Sequence, residues 1–218
     1  MNKTDSKLKE DVENELRWDP KINAAHIGVA VDRGAVSLMG AVDTYAEKWA
    51  AEDATKRVAG VRSVAEELTV KILGPHQHSD AEIAAAALSA MKWDVWVPAT
   101  VTAMVQQGRL TLEGEVEWNF QRESAMRAVR YLAGVVSVFN GIHLKTAAST
   151  RAVTEKVQAA LLRQATEDAN NIHVATSGGT VTLTGKASSW HAIEDAAAAA
   201  WAAPGVTKVI DTISMTGF

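Results

Sequence analysis

The sequence predicts an α+β fold of three tandem αββαβ repeats, each a three-stranded mixed sheet with two helices on one face. Three observations predict it. A seven-residue run bounded by glycines occurs three times, as GAVSLMG (34–40), GRLTLEG (108–114) and GTVTLTG (179–185). A Gly-Val pair follows each run, at Gly60, Gly134 and Gly205. The offsets, 74 residues from 34 to 108 and 71 from 108 to 179, carry all three glycine positions without a gap. Between these marks the apolar period switches from helix to strand and back.

Each repeat opens on a helix. Leu8, Val12 and Leu16 recur every four residues, as do Val153, Val157 and Leu161, and Ile83, Ala87, Leu88 and Met91 keep a looser version. Ser79 and Glu82 form a capping box at the start of the middle one. A hairpin follows. Ile27, Val29 and Val31 alternate at strand period, as do Val101, Ala103 and Val105, and Ile172 and Val174 more briefly. The turns read DRG, QQG and SGG, so Gly34, Gly108 and Gly179 close them, consistent with a type I turn followed by a left-handed residue. The returning strand directs Val36 and Leu38, Leu110 and Leu112, or Val181 and Leu183 to one face. Gly40, Gly114 and Gly185 are then expected to let the chain leave the strand where a side chain would clash.

A second helix comes next, capped by Asp43 or Thr44 with Glu47, by Asn119 and by Ser189. It ends near Gly60, Gly134 or Gly205. A third strand runs through Val64, Leu68 and Val70, through Val138, Ile142 and Leu144, or through Val209, Ile213 and Met215. It should lie parallel to the second. The expected repeats are residues 1–74, 75–148 and 149–218. Units of this size are marginal alone, so the copies should lean on one another.

Net charge is −4, and the three segments carry −2, −1 and −1. No segment has the cationic footprint of a nucleic-acid binder, and the same deficit weighs against binding anionic lipid by charge alone. The absence of cysteine excludes disulfides and thiolate chemistry. The N-terminus MNKTDSKLKEDVENEL is charged throughout and does not read as a secretory signal. No apolar run reaches the roughly 20 residues of a membrane span. The expectation is a cytoplasmic protein, or a periplasmic one if a leader was removed before this numbering.

The glycine-bounded run, the Gly-Val about twenty residues on and the endings V-x-x-x-L or V-x-x-x-I resemble the BON domain, named for bacterial osmotically inducible and nodulation proteins. All three copies carry these marks. The resemblance implies a non-enzymatic α/β module of bacterial envelope and stress proteins, with phospholipid or a membrane-associated protein as partner. Many such proteins are periplasmic or lipid-anchored; this chain looks more like the cytosolic three-copy members.

No catalytic constellation, cofactor motif or metal site is read from the sequence. The histidines, at 26, 76, 78, 143, 173 and 191, do not repeat in register. His76 and His78 flank Gln77 in a linker, and two ligands make a poor site. No phosphate loop occurs. A polar residue, Glu66, Asn140 or Asp211, falls on the apolar parity of each third strand. It is read as a bulge or a side chain bonding nearby backbone, with a pocket contact as the alternative.

Partner-binding candidates come from seven tryptophans. Trp18 and Trp93 each end a first helix and precede an aspartate. The middle repeat adds Trp96 and Val97 in MKWDVWVP. Such residues suit packing between repeats or contact with lipid. Trp49 and Trp201, within second helices, read as core or contacts between repeats. The alanine-rich stretch 192–203 reads as a tight seam against another repeat or chain, or as helix propensity alone. Arg122, Arg127 and Arg130 form a basic stripe, read as solvated surface and as the face to test if anionic headgroups are met. Homo-oligomerisation remains open.

Overall fold

A computed structural model describes residues 4–72, 74, 77–145, 150–163 and 171–215. The described elements are α1 (Asp5–Trp18), β1 (Ile27–Asp32), β2 (Ala35–Val42), α2 (Tyr45–Arg57) and β3 (Ser63–Val70) in the first repeat. The second repeat holds α3 (Asp80–Trp93), β4 (Thr102–Gln106), β5 (Arg109–Val116), α4 (Asn119–Arg130) and β6 (Ser137–Leu144). The third holds α5 (Thr150–Arg163), β7 (Ile172–Ser177), β8 (Thr180–Ala187), α6 (Trp190–Trp201) and β9 (Lys208–Met215). Three three-stranded sheets form, in the orders β1-β2-β3, β4-β5-β6 and β7-β8-β9. The hairpin pairs are antiparallel, with Val29 opposite Leu38 and Val174 opposite Leu183. The third strand is parallel to the second, with Val36 beside Val64 and Val181 beside Val209.

The chain gathers into two compact units. One comprises Met1–Val95, Thr102–Glu113 and Ala125–Gly141; the other comprises Trp96–Val101, Gly114–Ser124 and Ile142–Phe218. The first repeat lies wholly in the first unit and the third wholly in the second, while the middle repeat supplies residues to both. In the first unit Leu8, Val12 and Leu16 of α1 meet Val36, Leu38 and the alanines 50, 51 and 54 of α2 in one core. In the second, Val153 and Val157 meet Val181, Leu183 and Ala196, Ala199 and Ala200. The side chain of Leu161, expected in that core, lies outside the described residues, as does His76.

The hairpin turn differs from the expected type. Asp32 pairs directly with Ala35, so the loop is two residues, and Arg33 and Gly34 both have positive φ (49° and 82°). Gln107 and Gly108 repeat this at 52° and 71°. Two left-handed residues define a primed turn, whose twist matches that of the strands. The first helix secures it. Asp5 accepts the backbone N–H of Arg33 (2.8 Å) and of Gly34 (3.2 Å), and Asp80 accepts those of Gln107 (2.7 Å) and Gly108 (2.8 Å). In the third repeat Gly178 takes the first turn position, with φ 56°, and Gly179, expected to be the left-handed residue, is not one.

The second glycine of each run also differs in role. Gly40 sits inside β2, opposite Ile27, and the strand continues to Val42. A Cβ there would lie 2.0 Å from the carbonyl oxygen of His26, and one at Gly185 equally close to that of Asn171. The residue is required by close backbone approach within the sheet and does not mark the exit from it.

The caps follow the sequence in part. Ser79 and Glu82 form the reciprocal box. Thr44 caps α2, while the buried Glu47 carboxylate accepts from Asn23 N–H (2.6 Å) and Asp43 N–H (2.9 Å), tying the loop before β1 to the helix start. Ser189 caps α6. Asn119 does not cap α4: it is the first helical residue, and Gln121 Oε1 instead accepts from Glu117 and Trp118 N–H, both at 3.0 Å. The polar residue of the third strand bonds nearby backbone in the first and third copies, as expected. Glu66 accepts from Leu68 N–H and Asp211 from Ile213 N–H.

Candidate functional site

The middle repeat's first helix delivers its last side chain into solvent. Its core stripe, Ile83, Ala87 and Met91, is spent before the end. Trp93 is 82% exposed and Val95 88%. In the second unit Trp96 is 57% exposed and meets Phe120 edge-on, with ring centroids 5.5 Å apart; Val97 is half-buried. Packing therefore accounts for one side of Trp96 and for almost none of Trp93. The sequence reading that would bury Trp93 between repeats is corrected: the residue lies past the stripe that faces the core. A naked indole and a naked valine two residues apart form the most exposed apolar group on this part of the chain.

The arginines are placed otherwise than a solvated stripe requires. Arg130 is buried, its guanidinium 4.2 Å from the ring centroid of Trp49 on α2. Arg122 lies 5.0 Å from the ring centroid of Trp201 on α6. Arg127 alone of the three is exposed. Helical period places Arg127 and Arg130 on neighbouring faces but does not say what lies opposite, and here Arg122 and Arg130 each meet an indole of another repeat. Trp49 and Trp201 thus make contacts between repeats, as expected, with cations as their partners. Around Trp49, Tyr45 is half-buried, and burial raises its phenol above the ordinary value against the opposing charge of Arg130 and the N–H of Val138.

A cavity of about 340 Å³ adjoins Trp49, lined also by Asp19, Lys21, Glu47, Asp53 and Tyr131. Its carboxylates are engaged. Glu47 holds two backbone N–H groups, and Asp19 and Asp53 both pair with Arg57. Lys21 N–H and the Arg57 guanidinium hold the Asp19 carboxyl below its ordinary value. The alanine stretch of α6 buries Ala196, Ala199 and Ala200. It leaves a groove of about 380 Å³ against α5, lined by Ala159, Ala160, Ala199, Ala202 and Ala203 with Glu155, Lys156 and Pro204.

Sequence reading missed a second apolar surface. Phe139 is 67% exposed and Met104 59%, on the strand faces turned away from the core. The signal was present as parity, since Phe139 alternates with Val138 and Asn140, which have core parity. Among the described residues no helix is long and apolar enough to cross a membrane, and no three His, Cys, Asp or Glu gather as metal ligands.

No curated protein matches the chain. Solved structures similar to it include two of one protein. One is CdsD, a structural protein of the type III secretion system of Chlamydia trachomatis: 13% identity, 96% of this chain and 92% of that one covered, TM-score 0.27. The other is the C-terminal domain of the same protein, at 12% identity, 95% and 96% coverage and TM-score 0.28. Scores this low carry no inference for this chain. The family model of the BON domain matches three times, over residues 4–72, 79–146 and 149–217. With the αββαβ order realised in each copy and the glycine frame in register, the chain belongs to the BON domain family, as three tandem copies.

Proposed function

We propose that this chain is a binding protein that docks on phospholipid surfaces through the loop after α3, in envelope or osmotic stress, without catalysing a reaction. The observation that carries this reading is the exposure of Trp93 and Val95 at the end of α3. An indole is amphipathic and gains most where apolar chain meets headgroup. A net charge of −4 gives no long-range pull toward anionic lipid. Insertion of apolar side chains, rather than charge, should therefore drive contact, and zwitterionic and anionic vesicles should bind alike. Liposome flotation tests this. Wild type should rise with both vesicle types and Trp93→Ala with fewer; failure to rise with either removes the reading.

A second reading is a protein-interaction scaffold that does not use lipid, in the cytoplasm. Exposed Phe139 and Met104 on a sheet face favour it, because such pairs suit a protein interface. It predicts a partner captured equally well from lysate cleared of membranes and lost on Phe139→Ser. A partner retained by that variant counts against it.

A further inference from the structure

The three repeats agree on the sheet face that meets their helices and differ on the other. In the first, the middle row across the outer face reads Ala30, Ser37, Ala65. In the third it reads Ala175, Thr182, Ile210. In the middle repeat Met104 stands opposite Thr111, and β6 lies along the other edge of β5. The N–H groups of Val136 and Lys145 bond the carbonyls of Gly108 and Val116, as those of Arg62 and Lys71 bond Gly34 and Val42 in the first repeat. The shared register therefore sets Phe139 beside Thr111. The row becomes Met104, Thr111, Phe139, a half-buried threonine between two exposed apolar side chains. Two residues along β6 comes Gly141, where the other copies have Glu67 and Thr212. A Cβ there would sit 3.3 Å from Cε1 of Phe139, so the ring leans along the strand over bare backbone.

The same face carries two charges. Arg109 and Glu113, both exposed, flank Thr111 on β5 at the same parity. Four residues of strand hold them about 13 Å apart, too far to pair with each other. Among the described residues neither forms an ion pair. The first repeat has Ala35 and Met39 at these places, and the third has Thr180 and Thr184. We infer that this face binds a second copy of the chain, outer sheet on outer sheet, about a two-fold axis that crosses β5 at Thr111 between the two sheets. That axis lays β5 antiparallel over its own copy. Arg109 then meets Glu113 of the partner subunit, and Glu113 meets Arg109 of the partner subunit. An axis parallel to β5 would instead set like charge on like, so charge selects the antiparallel register while the apolar row supplies the contact. The inference takes its face from the scaffold reading above and names the occupant. Three strands about 4.8 Å apart and about 27 Å long offer on the order of 400 Å² per partner. That is about half of what each side of a standard-size interface buries, so the dimer is weak, with a dissociation constant on the order of 0.1 mM.

The test is sedimentation velocity of the full chain, from about 10 µM to about 500 µM. Wild type should pass from monomer toward dimer across that range. Phe139→Ser, Arg109→Glu and Glu113→Arg should each weaken association on the order of tenfold or more. Circular dichroism should show one fold for all of them, because the three side chains stand in solvent. The double variant Arg109→Glu with Glu113→Arg should associate as wild type does. So should an equimolar mixture of the two single charge variants, since every charge then meets its opposite across the axis. A wild type that stays monomeric overturns the dimer. The scaffold reading would then stand or fall separately, on capture of another protein and its loss on Phe139→Ser. A dimer that survives Phe139→Ser, or charge variants that recover neither in the double nor in the mixture, would also overturn the inference.

Discussion

The first and third repeats stand on one frame and close their helix pairs by different means. In the first, Arg57 at the end of α2 bonds Glu15 (3.2 Å) and Asp19 (3.2 Å) at the end of α1 and Asp53 (2.7 Å) one turn back. Shifted by 145 residues, the offset from Gly34 to Gly179, three of these positions become Ala202, Ala160 and Ala198. There the seam lies open as the alanine-lined groove. The hairpin turns differ in parallel. The first repeat holds a strained arginine with Asp5; the third uses Gly178 at that place. What the two repeats share is set by backbone geometry. Where they differ, local side-chain chemistry has been free to drift.

The strongest test of the shared frame is Gly40→Ala against Gly185→Ala. Both positions have φ 127° and a carbonyl oxygen 2.0 Å from where a Cβ would sit. Neither site can relax without separating the hairpin strands. Each variant should lose about 3 kcal/mol or more, combining left-handed strain with the clash. Chemical denaturation of the full chain, followed by probes in each repeat, measures it. A mild loss at Gly185 beside a severe one at Gly40 would show that the copies do not share the frame.

That frame was legible in sequence because its residues answer to demands of the chain itself. Gly34, Gly108 and the Gly40 set recur wherever backbone conformation or close approach excludes a side chain. Glu66 and Asp211 could be read as local backbone acceptors because their partners are two residues away. What stayed hidden depends on distant partners. The primed turn at Arg33 needs the carboxylate of Asp5, 28 residues earlier. Arg130 looks solvated on its own helix and is buried, with Trp49 of another repeat against its guanidinium. Trp93 was read first as packing between repeats, since an indole serves packing or exposure, and only the end of the core stripe decides. The binding candidates are thus the least legible part, as their role is set by what a neighbour leaves uncovered.

The arginine clamp is the next point at which the comparison can be broken. Arg57→Met keeps the aliphatic stem and removes the charges. It should cost about 1 kcal/mol, as expected for a surface network with one sheltered carboxylate. The pH dependence has a definite sign. Asp19 titrates below its ordinary value in the folded state, first through Lys21 N–H and then through Arg57. Its contribution is therefore present above the unfolded value, about 3.9, and is lost as pH falls through the lower folded one. The stability gap between wild type and Asp19→Asn should be constant near neutral pH and shrink under acid. A gap that instead grew below pH about 4 would contradict the clamp. Building it into the third repeat, as Ala202→Arg with Ala198→Asp, should add about 0.5 kcal/mol.

The smallest effect, that of Arg33→Gly, is expected at the turns. Arg33 occupies a left-handed conformation that glycine adopts without penalty, so Arg33→Gly removes strain while raising unfolded-state entropy. The two nearly cancel, and stability should change by about 0.5 kcal/mol or less. Gly178→Gln gives the third repeat the turn residue of the second. Nothing lies within 4 Å of its Cβ, so the cost is conformational alone, about 1 kcal/mol. Asp5→Ala should then separate strain from its support. In wild type it removes the acceptor of two N–H groups and should cost about 1 kcal/mol. In the Arg33→Gly background the turn holds itself, and the same substitution should cost less. Equal losses in both backgrounds, measured by denaturant midpoints, would mean that Asp5 acts on α1 alone and not on the hairpin it touches.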